Sequence, residues 1–187
     1  FPGGKVEPGE SLEAALAPIR GSARPDPGRV PAFSDRSMPR QRFSLNANWL
    51  FSGAAPGAAG EESARLVHLP HTVRLTPYSG FDESLYQGRF LYRRRLNLPR
   101  EWRGRRVRVE FDGAMTALGL SLNGQRLGEH FGGFTPCVFD LTPAARWGGE
   151  NWLEVELDTT ERPDTPPFGG QVDYLCYGGL YRDARLW

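Results

Sequence analysis

The stretch Leu118-Gly119-Leu120-Ser121-Leu122-Asn123-Gly124 decides the fold. Leucine at every second position is the period of a strand with one buried face; an amphipathic helix needs its apolar residues three and four apart. The run ends in Asn-Gly, a pair that accepts the positive φ angles of a tight hairpin turn, so the strand doubles back at once. Outward from this stretch the same period recurs. Phe43, Leu45, Trp49 and Phe51 open the series. Phe90, Tyr92, Leu96 and Leu98 share one face of 89–98, with Arg93 and Arg95 on the other. Val107, Val109 and Phe111 alternate with Arg106, Arg108 and Glu110. Leu153, Val155 and Leu157 alternate with Trp152, Glu154 and Glu156. Cys137, Phe139 and Leu141 form a further run, and Leu180, Arg182, Ala184 and Leu186 oppose Tyr181, Asp183, Arg185 and Trp187. Turn-forming clusters at 99–104, 132–133, 147–151 and 163–170 separate the runs. Seven or eight short strands without intervening helices predict an all-β fold, an antiparallel β-sandwich of the jelly-roll type, over residues 42–187.

Composition agrees and excludes other classes. Of 187 residues, 39 are Gly or Pro, which suits a turn-rich β protein, and 39% are hydrophobic, enough to bury a core. A complete (β/α)₈ barrel needs about 250 residues and does not fit. No apolar run approaches the roughly 18 residues that cross a bilayer, so no membrane partner is expected. The formal net charge of +1 gives no field for nucleic acid. Cys137 and Cys176 make neither a disulfide framework nor metal spacing and read as two buried thiols. Compartment signals are sparse; the absence of a leader and of a disulfide framework favours the cytoplasm slightly. The chain starts at Phe1 rather than Met and ends at Trp187 inside a run that reads as a strand, which points to a piece of a longer protein.

Residues 1–41 have a different character. Ser11 can cap a short helix over 12–17, and 18–41 is rich in proline and arginine with almost no apolar periodicity, the composition of a linker or disordered tail. Phe1 to Ala17, with Gly4 and Glu10, resembles the opening of a Nudix box. Pro18 and Ile19 stand where that box has Arg-Glu, and Ser22 and Ala23 where it has a glutamate pair, so the converging carboxylates that would hold a metal are missing and this segment is expected to be non-functional.

Within the β region, metal and nucleophile chemistry find little support. His68 and His71 are three apart in an extended stretch, which places them on opposite faces, and His130 stands alone. There is no HExxH, no nucleophile elbow and no phosphate loop. The three histidines read as structural or surface residues, and neither a cofactor nor a metal ligand is assigned.

A more specific pattern lies in ordered motifs. His130-Phe131-Gly132-Gly133-Phe134-Thr135-Pro136 follows the hairpin, Gly149-Glu150-Asn151 precedes Leu153, and Asp173-Tyr174-Leu175-Cys176-Tyr177-Gly178-Gly179-Leu180-Tyr181-Arg182-Asp183 closes the chain. Together with Leu69-Pro70-His71-Thr72 and Tyr92-Arg93-Arg94, these closely resemble the N-terminal sugar-binding domain of glycoside hydrolase family 2, which includes β-galactosidases, β-glucuronidases and β-mannosidases. The resemblance covers roughly residues 42–187 and involves nothing in 1–41.

The resemblance implies a retaining exo-β-glycosidase whose two catalytic glutamates sit on a separate barrel domain. That barrel is not in this chain, so no catalytic residue is assigned here. The sandwich would be a wall of the active-site pocket, with the barrel and a terminal β-linked sugar as its partners. One substrate-binding residue carries over, Asp173, whose family counterpart accepts hydrogen bonds from hydroxyls of the terminal sugar. An ionised carboxylate is acceptor-only and suits that role; without the resemblance Asp173 reads as a turn cap. Phe168, Tyr174 and Tyr177 lie close to it in sequence and could face a sugar, although packing is the plainer reading. Gly178-Gly179 is expected to allow a close backbone approach or positive φ, Gly132-Gly133-Phe134 to shape a loop, and Arg182 to pair with a carboxylate, Asp112 or Asp140. The 166–174 stretch inclines the reading toward a β-galactosidase, though β-glucuronidases share the Asp and Tyr-Gly pattern. A free-standing carbohydrate-binding module or a truncated remnant is the alternative, and a Nudix hydrolase a distant third.

Overall fold

The computed structural model describes residues 41–53, 64–75, 77, 79, 85–168 and 176–187. The tail and its Nudix-like start, Gln41 apart, therefore lie outside the described residues, as do Asp173 and Tyr174. Ten strands follow in order: β1 (Phe43–Ser44), β2 (Trp49–Ser52), β3 (Arg65–Val67), β4 (Arg89–Leu98), β5 (Arg108–Phe111), β6 (Ala117–Leu122), β7 (Gln125–Phe131), β8 (Cys137–Asp140), β9 (Gly149–Asp158) and β10 (Ala184–Leu186). They form a four-stranded sheet, β1-β10-β5-β8, and a six-stranded sheet, β3-β2-β4-β9-β6-β7, with antiparallel pairing throughout. This is the antiparallel sandwich that the period-2 runs predict.

The alternation is realised face by face. Leu118, Leu120 and Leu122 of β6 point into the core opposite Leu157, Val155 and Leu153 of β9, all essentially without exposure. Arg93 and Arg95 of β4 stay outside, in register with Glu154 and Trp152. Trp49 ties the two sheets together. Its ring lies 6.4 Å edge-on from Tyr92 in its own sheet and 6.1 Å from Phe111 in the other, and its indole N–H donates to the Leu45 carbonyl at 2.6 Å. A large ring with its one polar atom satisfied contributes burial from both layers at once. Both cysteines are buried, and burial raises the Cys137 thiol to about 12, so it stays protonated.

Three details depart from the sequence pattern. β3 and β7 are strands without an alternating run, because both are edge strands; β7 alternates between exposed and half-buried residues with no buried one. Gly149-Glu150-Asn151 continues β9 rather than belonging to the preceding turn. In the 180–187 run only Ala184–Leu186 pairs as a strand, and the chain bends before it so that Arg182 is exposed between buried Leu180 and buried Ala184.

The hairpin turn is real and is stapled to the next loop. Asn123 and Gly124 take φ of 54° and 80°. The Asn123 amide donates to Ala144 O at 2.8 Å and Asn151 Oδ1 at 2.9 Å, while its oxygen accepts from Trp152 N at 3.0 Å. Asn151 has no exposure; its Oδ1 also accepts from Arg146 N at 2.7 Å and its amide donates to Arg146 O at 2.9 Å. Asn151→Ala leaves several of these buried groups without partners, so unfolding free energy in urea is expected to fall by about 2–4 kcal/mol. A loss below about 0.5 kcal/mol, in the range of ordinary surface substitutions, would show that the staple carries no net stability.

Candidate functional site

Three stretches far apart in sequence meet at one end of the sandwich, and each contains a motif singled out above. The backbone of 178–180 lies between residues 71–73 and Met115. His71 N donates to Leu180 O at 2.8 Å and Val73 N to Gly178 O at 2.9 Å; Met115 N donates to Gly179 O at 3.0 Å, and Gly179 N to Met115 O at 3.2 Å. The Thr72 hydroxyl adds a bond to Gly178 O at 3.0 Å. Gly179 has φ of +142°, and a Cβ built there would stand 2.3 Å from the His71 carbonyl oxygen. The expected close approach is therefore present, and no other residue type permits it.

The next two side chains reach the third stretch. Tyr181 donates its hydroxyl to Gly133 O at 2.7 Å. Arg182 donates to Phe134 O at 3.3 Å and to the backbone oxygen of Asp112 at 3.5 Å. This corrects the expected carboxylate pair: the Asp112 carboxylate takes Arg185 at 2.6 Å instead. Asp140 accepts Thr142 N at 2.9 Å and lies 3.7 Å from Arg106. Side-chain parity places Arg182 on the face of Leu180 and Ala184, but the bend at 181–183 swings it to the surface.

Asp173 falls outside the described residues, yet both flanks of 169–175 are anchored. Downstream is the clamp just described, beginning at buried Cys176. Upstream, Thr159 donates its hydroxyl to Tyr86 O and to Gly88 O at 3.1 Å, Arg162 pairs with Asp158 at 3.0 Å, and Phe168 N donates to Thr165 O at 2.8 Å. Phe168 and Tyr177 are 41% and 43% exposed, so neither ring is consumed by the core.

His71 sits at this end of the sandwich, against Tyr92 and Phe51. Its Nδ1 lies 2.8 Å from the Tyr92 hydroxyl and its ring 4.8 Å from that of Phe51. Burial raises the Tyr92 pKa, against the opposing backbone bond at Leu180 and the Arg65 charge, so the phenol keeps its proton and shares one hydrogen bond with Nδ1. Burial, with Arg65 adding, lowers the His71 pKa from 6.5 to about 4. His68 Nδ1 accepts from Asn48 N at 3.3 Å, and His130 Nε2 lies 3.1 Å from Gly132 O. Each of the three histidines has a protein partner among the described residues. Sequence reasoning placed Tyr92 on the core face but missed its bond to His71; two members of separate motifs facing one core gave the available signal.

Among the described residues no three His, Cys, Asp or Glu side chains gather as metal ligands. Two described carboxyls have displaced pKa values. Burial pushes Asp140 and Asp158 upward, but hydrogen bonds from Thr142, and from Thr160 and Arg162, outweigh it and hold both low. That is the direction of a permanent anion and the opposite of a general acid's need. Among the described residues this end of the sandwich joins 71–73, Met115 and 178–180 by backbone bonds and leaves the rings of Phe168 and Tyr177 half exposed.

A family model described as glycosyl hydrolases family 2, sugar binding domain, matches residues 76–187. The chain is 40% identical over 154 residues to a β-galactosidase of Thermoanaerobacterium thermosulfurigenes, covering 79% of this chain and 21% of that one. It is 32% identical over 149 residues to a β-glucuronidase of Bacteroides fragilis, covering 79% and 20%. Among solved structures, a Bacteroides uniformis β-glucuronidase 2 covalently bound to cyclophellitol-6-carboxylate aziridine superimposes with a TM-score of 0.67 at 32% identity, covering 78% of this chain and 17% of that one. The chain thus spans about a fifth of the length of the curated relatives it matches.

The half-buried imidazole of His71 gives this end of the sandwich a pH signature. Above about pH 6.5 His71 is neutral in folded and unfolded states and stability is unaffected. As pH falls from about 6.5 toward 4, the unfolded chain takes up a proton that the folded chain refuses, so stability falls across that window. Gln at this position still accepts from Tyr92 but does not titrate. His71→Gln is therefore expected to flatten the slope of unfolding free energy between pH 6.5 and 4.5; an unchanged slope would place the titration elsewhere.

Proposed function

The chain belongs to glycosyl hydrolase family 2 and carries that family's sugar-binding domain, and from this premise we propose that it forms one wall of the substrate pocket of a retaining exo-β-glycosidase of β-galactosidase type. In this reading Asp173 accepts hydrogen bonds from hydroxyls of the terminal sugar, and the catalytic glutamate pair stands on a separate barrel domain. The observation that carries the reading is the backbone clamp of 178–180 onto 71–73 and Met115, which fixes the described chain downstream of 169–175, with Phe168 and Tyr177 half exposed on either side. A carboxylate that is in position before its substrate arrives binds with little loss of ordering entropy. The pair is charge-assisted and, in a desolvated pocket, selective for a hydroxyl at one place on the ring. Relatives of both β-galactosidase and β-glucuronidase type match the chain; the galactosidase reading rests on the Pro166-to-Tyr174 stretch and on the 40% identity of the first of these relatives.

The test replaces the equivalent residues of the T. thermosulfurigenes β-galactosidase with this chain and compares aryl β-galactoside with aryl β-glucuronide. Asp173→Asn keeps the shape and removes the charge. It is expected to lower kcat/KM for the galactoside by about ten- to more than a hundredfold, equivalent to roughly 1.5–3 kcal/mol, with little change in Tm because the partner is in the substrate. The 187-residue chain alone is expected to turn over neither substrate. Unchanged kinetics in the variant would return Asp173 to a turn cap, and a preference for the glucuronide would move the chain to the other branch of the family.

A further inference from the structure

The outer face of the six-stranded sheet carries a second constellation, unrelated to the clamp. Outward residues stand in register across four strands: Arg89, Asp158, Ala117 and Phe131 in one row, and Leu91, Glu156, Gly119 and Glu129 in the next. β6 contributes only Ala117 and Gly119 to these rows, so the middle of the face is sunk. The result is a depression of about 390 Å³, walled by Arg126, Glu129, Glu156, Asp158, Arg162 and Phe131.

Gly119 shapes it. A Cβ at this position would lie 2.0 Å from Arg126 Nη2. Its absence lets the Arg126 guanidinium cross over β6 and bond Glu156 of β9, two strands away, and Glu129 of its own strand, each at 2.8 Å. Burial alone would lower the Arg126 pKa, but the hydrogen bonds and charges of these two carboxylates together outweigh it and raise it, so the cation is permanent. On the adjoining side Asp158 takes Arg162 at 3.0 Å and lies 3.9 Å from Arg89. Arg162 sits 5.8 Å from the centre of the Phe131 ring, which is 53% exposed.

Exposed ion pairs alone do not require this pattern. They form equally over a raised floor, and glycine inside a central strand weakens it unless something must approach closely. Nor does a solvated charged face call for a half-exposed phenylalanine at its rim. The combination matches one chemistry. A pyranose has an apolar C–H face that suits an aromatic ring and a belt of hydroxyls that both donate and accept. Three guanidinium groups and three carboxylates, held in place by one another, supply both functions with formal charges that cancel. The volume is at the small end of ligand pockets. We propose that this depression is a binding site for a single neutral pyranoside, separate from any sugar contact by Asp173 and independent of that reading.

The probe is methyl β-D-galactopyranoside, titrated against the full 187-residue chain and followed by NMR shift changes, with glucuronate as a second arm. An open one-sugar site is expected to saturate with a Kd on the order of millimolar. Phe131→Ala is expected to weaken binding about tenfold, as loss of an aromatic face does. Gly119→Ala fills the floor and displaces only the flexible end of Arg126, so it is expected to fold and to abolish binding. Asp173→Asn is expected to change nothing. The proposal is overturned if no saturable binding is found to about 50 mM, well above a millimolar Kd. It is equally overturned if Phe131→Ala and Gly119→Ala, shown folded by circular dichroism, both bind as the parent does. Binding lost in Asp173→Asn, or glucuronate bound more tightly than the neutral glycoside, would also overturn it, since the first places the sugar at 169–175 and the second requires a net positive site.

Discussion

The end of the sandwich that carries the family's motifs depends on one close backbone approach, between Gly179 and the peptide joining His71 to Thr72. With no side chain at 179, the 178–180 segment runs between 71–73 and Met115 and exchanges backbone bonds with both. Its consequences follow down the chain. Leu180 is fixed in the core, Tyr181 is thrown across to Gly133, and Arg182 reaches Phe134. His71 is held against Tyr92 by the same contact that holds Leu180. The bonds between 71–73 and 178–180 join residues more than a hundred positions apart, so the site inherits the stability of the whole sheet pair rather than of a local loop.

The six-stranded sheet divides its work by side-chain parity. Even positions of β6 put leucine into the core, and odd positions leave a shallow hollow outside. β4 and β9 carry complementary charges, Arg93 with its register partner Glu154 at 2.8 Å and Arg95 diagonally with Glu150 at 3.3 Å, with both arginines over the Trp152 ring. Each pair contributes little by itself at the surface. Their larger effect is on register: a slip of one residue in β4 would drive Arg93 and Arg95 into the leucine layer and bring Tyr92 and Leu96 out.

The sandwich was legible wherever one face of a strand is buried, because burial writes the period-2 pattern that β4, β5, β6 and β9 display. It was illegible at β3 and β7, edge strands that each bury or half-bury too few side chains, Val67 in one and Leu127 in the other, to write an alternating run. The Asn123-Gly124 turn was legible because left-handed φ is chemically selective; the Asn123–Asn151 staple was not, since nothing local to either residue says that the two loops meet. Gly178-Gly179 announced a close approach without saying to what. Arg182 was misassigned because alternation was carried through a bend, and an arginine satisfied by two carbonyls leaves no complementary residue in the sequence. Asp173 was reached through family resemblance alone, for an aspartate before a turn has the same local grammar whether it caps the turn or receives a ligand.

A division of labour follows from these constraints. Retaining glycoside hydrolysis needs a carboxylic acid whose pKa is raised and a carboxylate nucleophile about 5 Å from it. The described carboxyls that depart from ordinary behaviour, Asp140 and Asp158, are held as anions by hydrogen-bond donors, so the rigid sandwich favours fixed charge over proton exchange. Fixed charge is what recognition of a non-reacting hydroxyl requires. Binding at such a hydroxyl lowers the barrel's barrier only if the acceptor is already in place as the ring distorts toward the transition state. An acceptor carried by a fixed wall meets that condition better than one tethered to the moving parts of a catalytic centre. In the proposed enzyme the wall contributes position and the barrel contributes chemistry, and the backbone clamp at Gly179 is where the first is made rigid enough to serve the second.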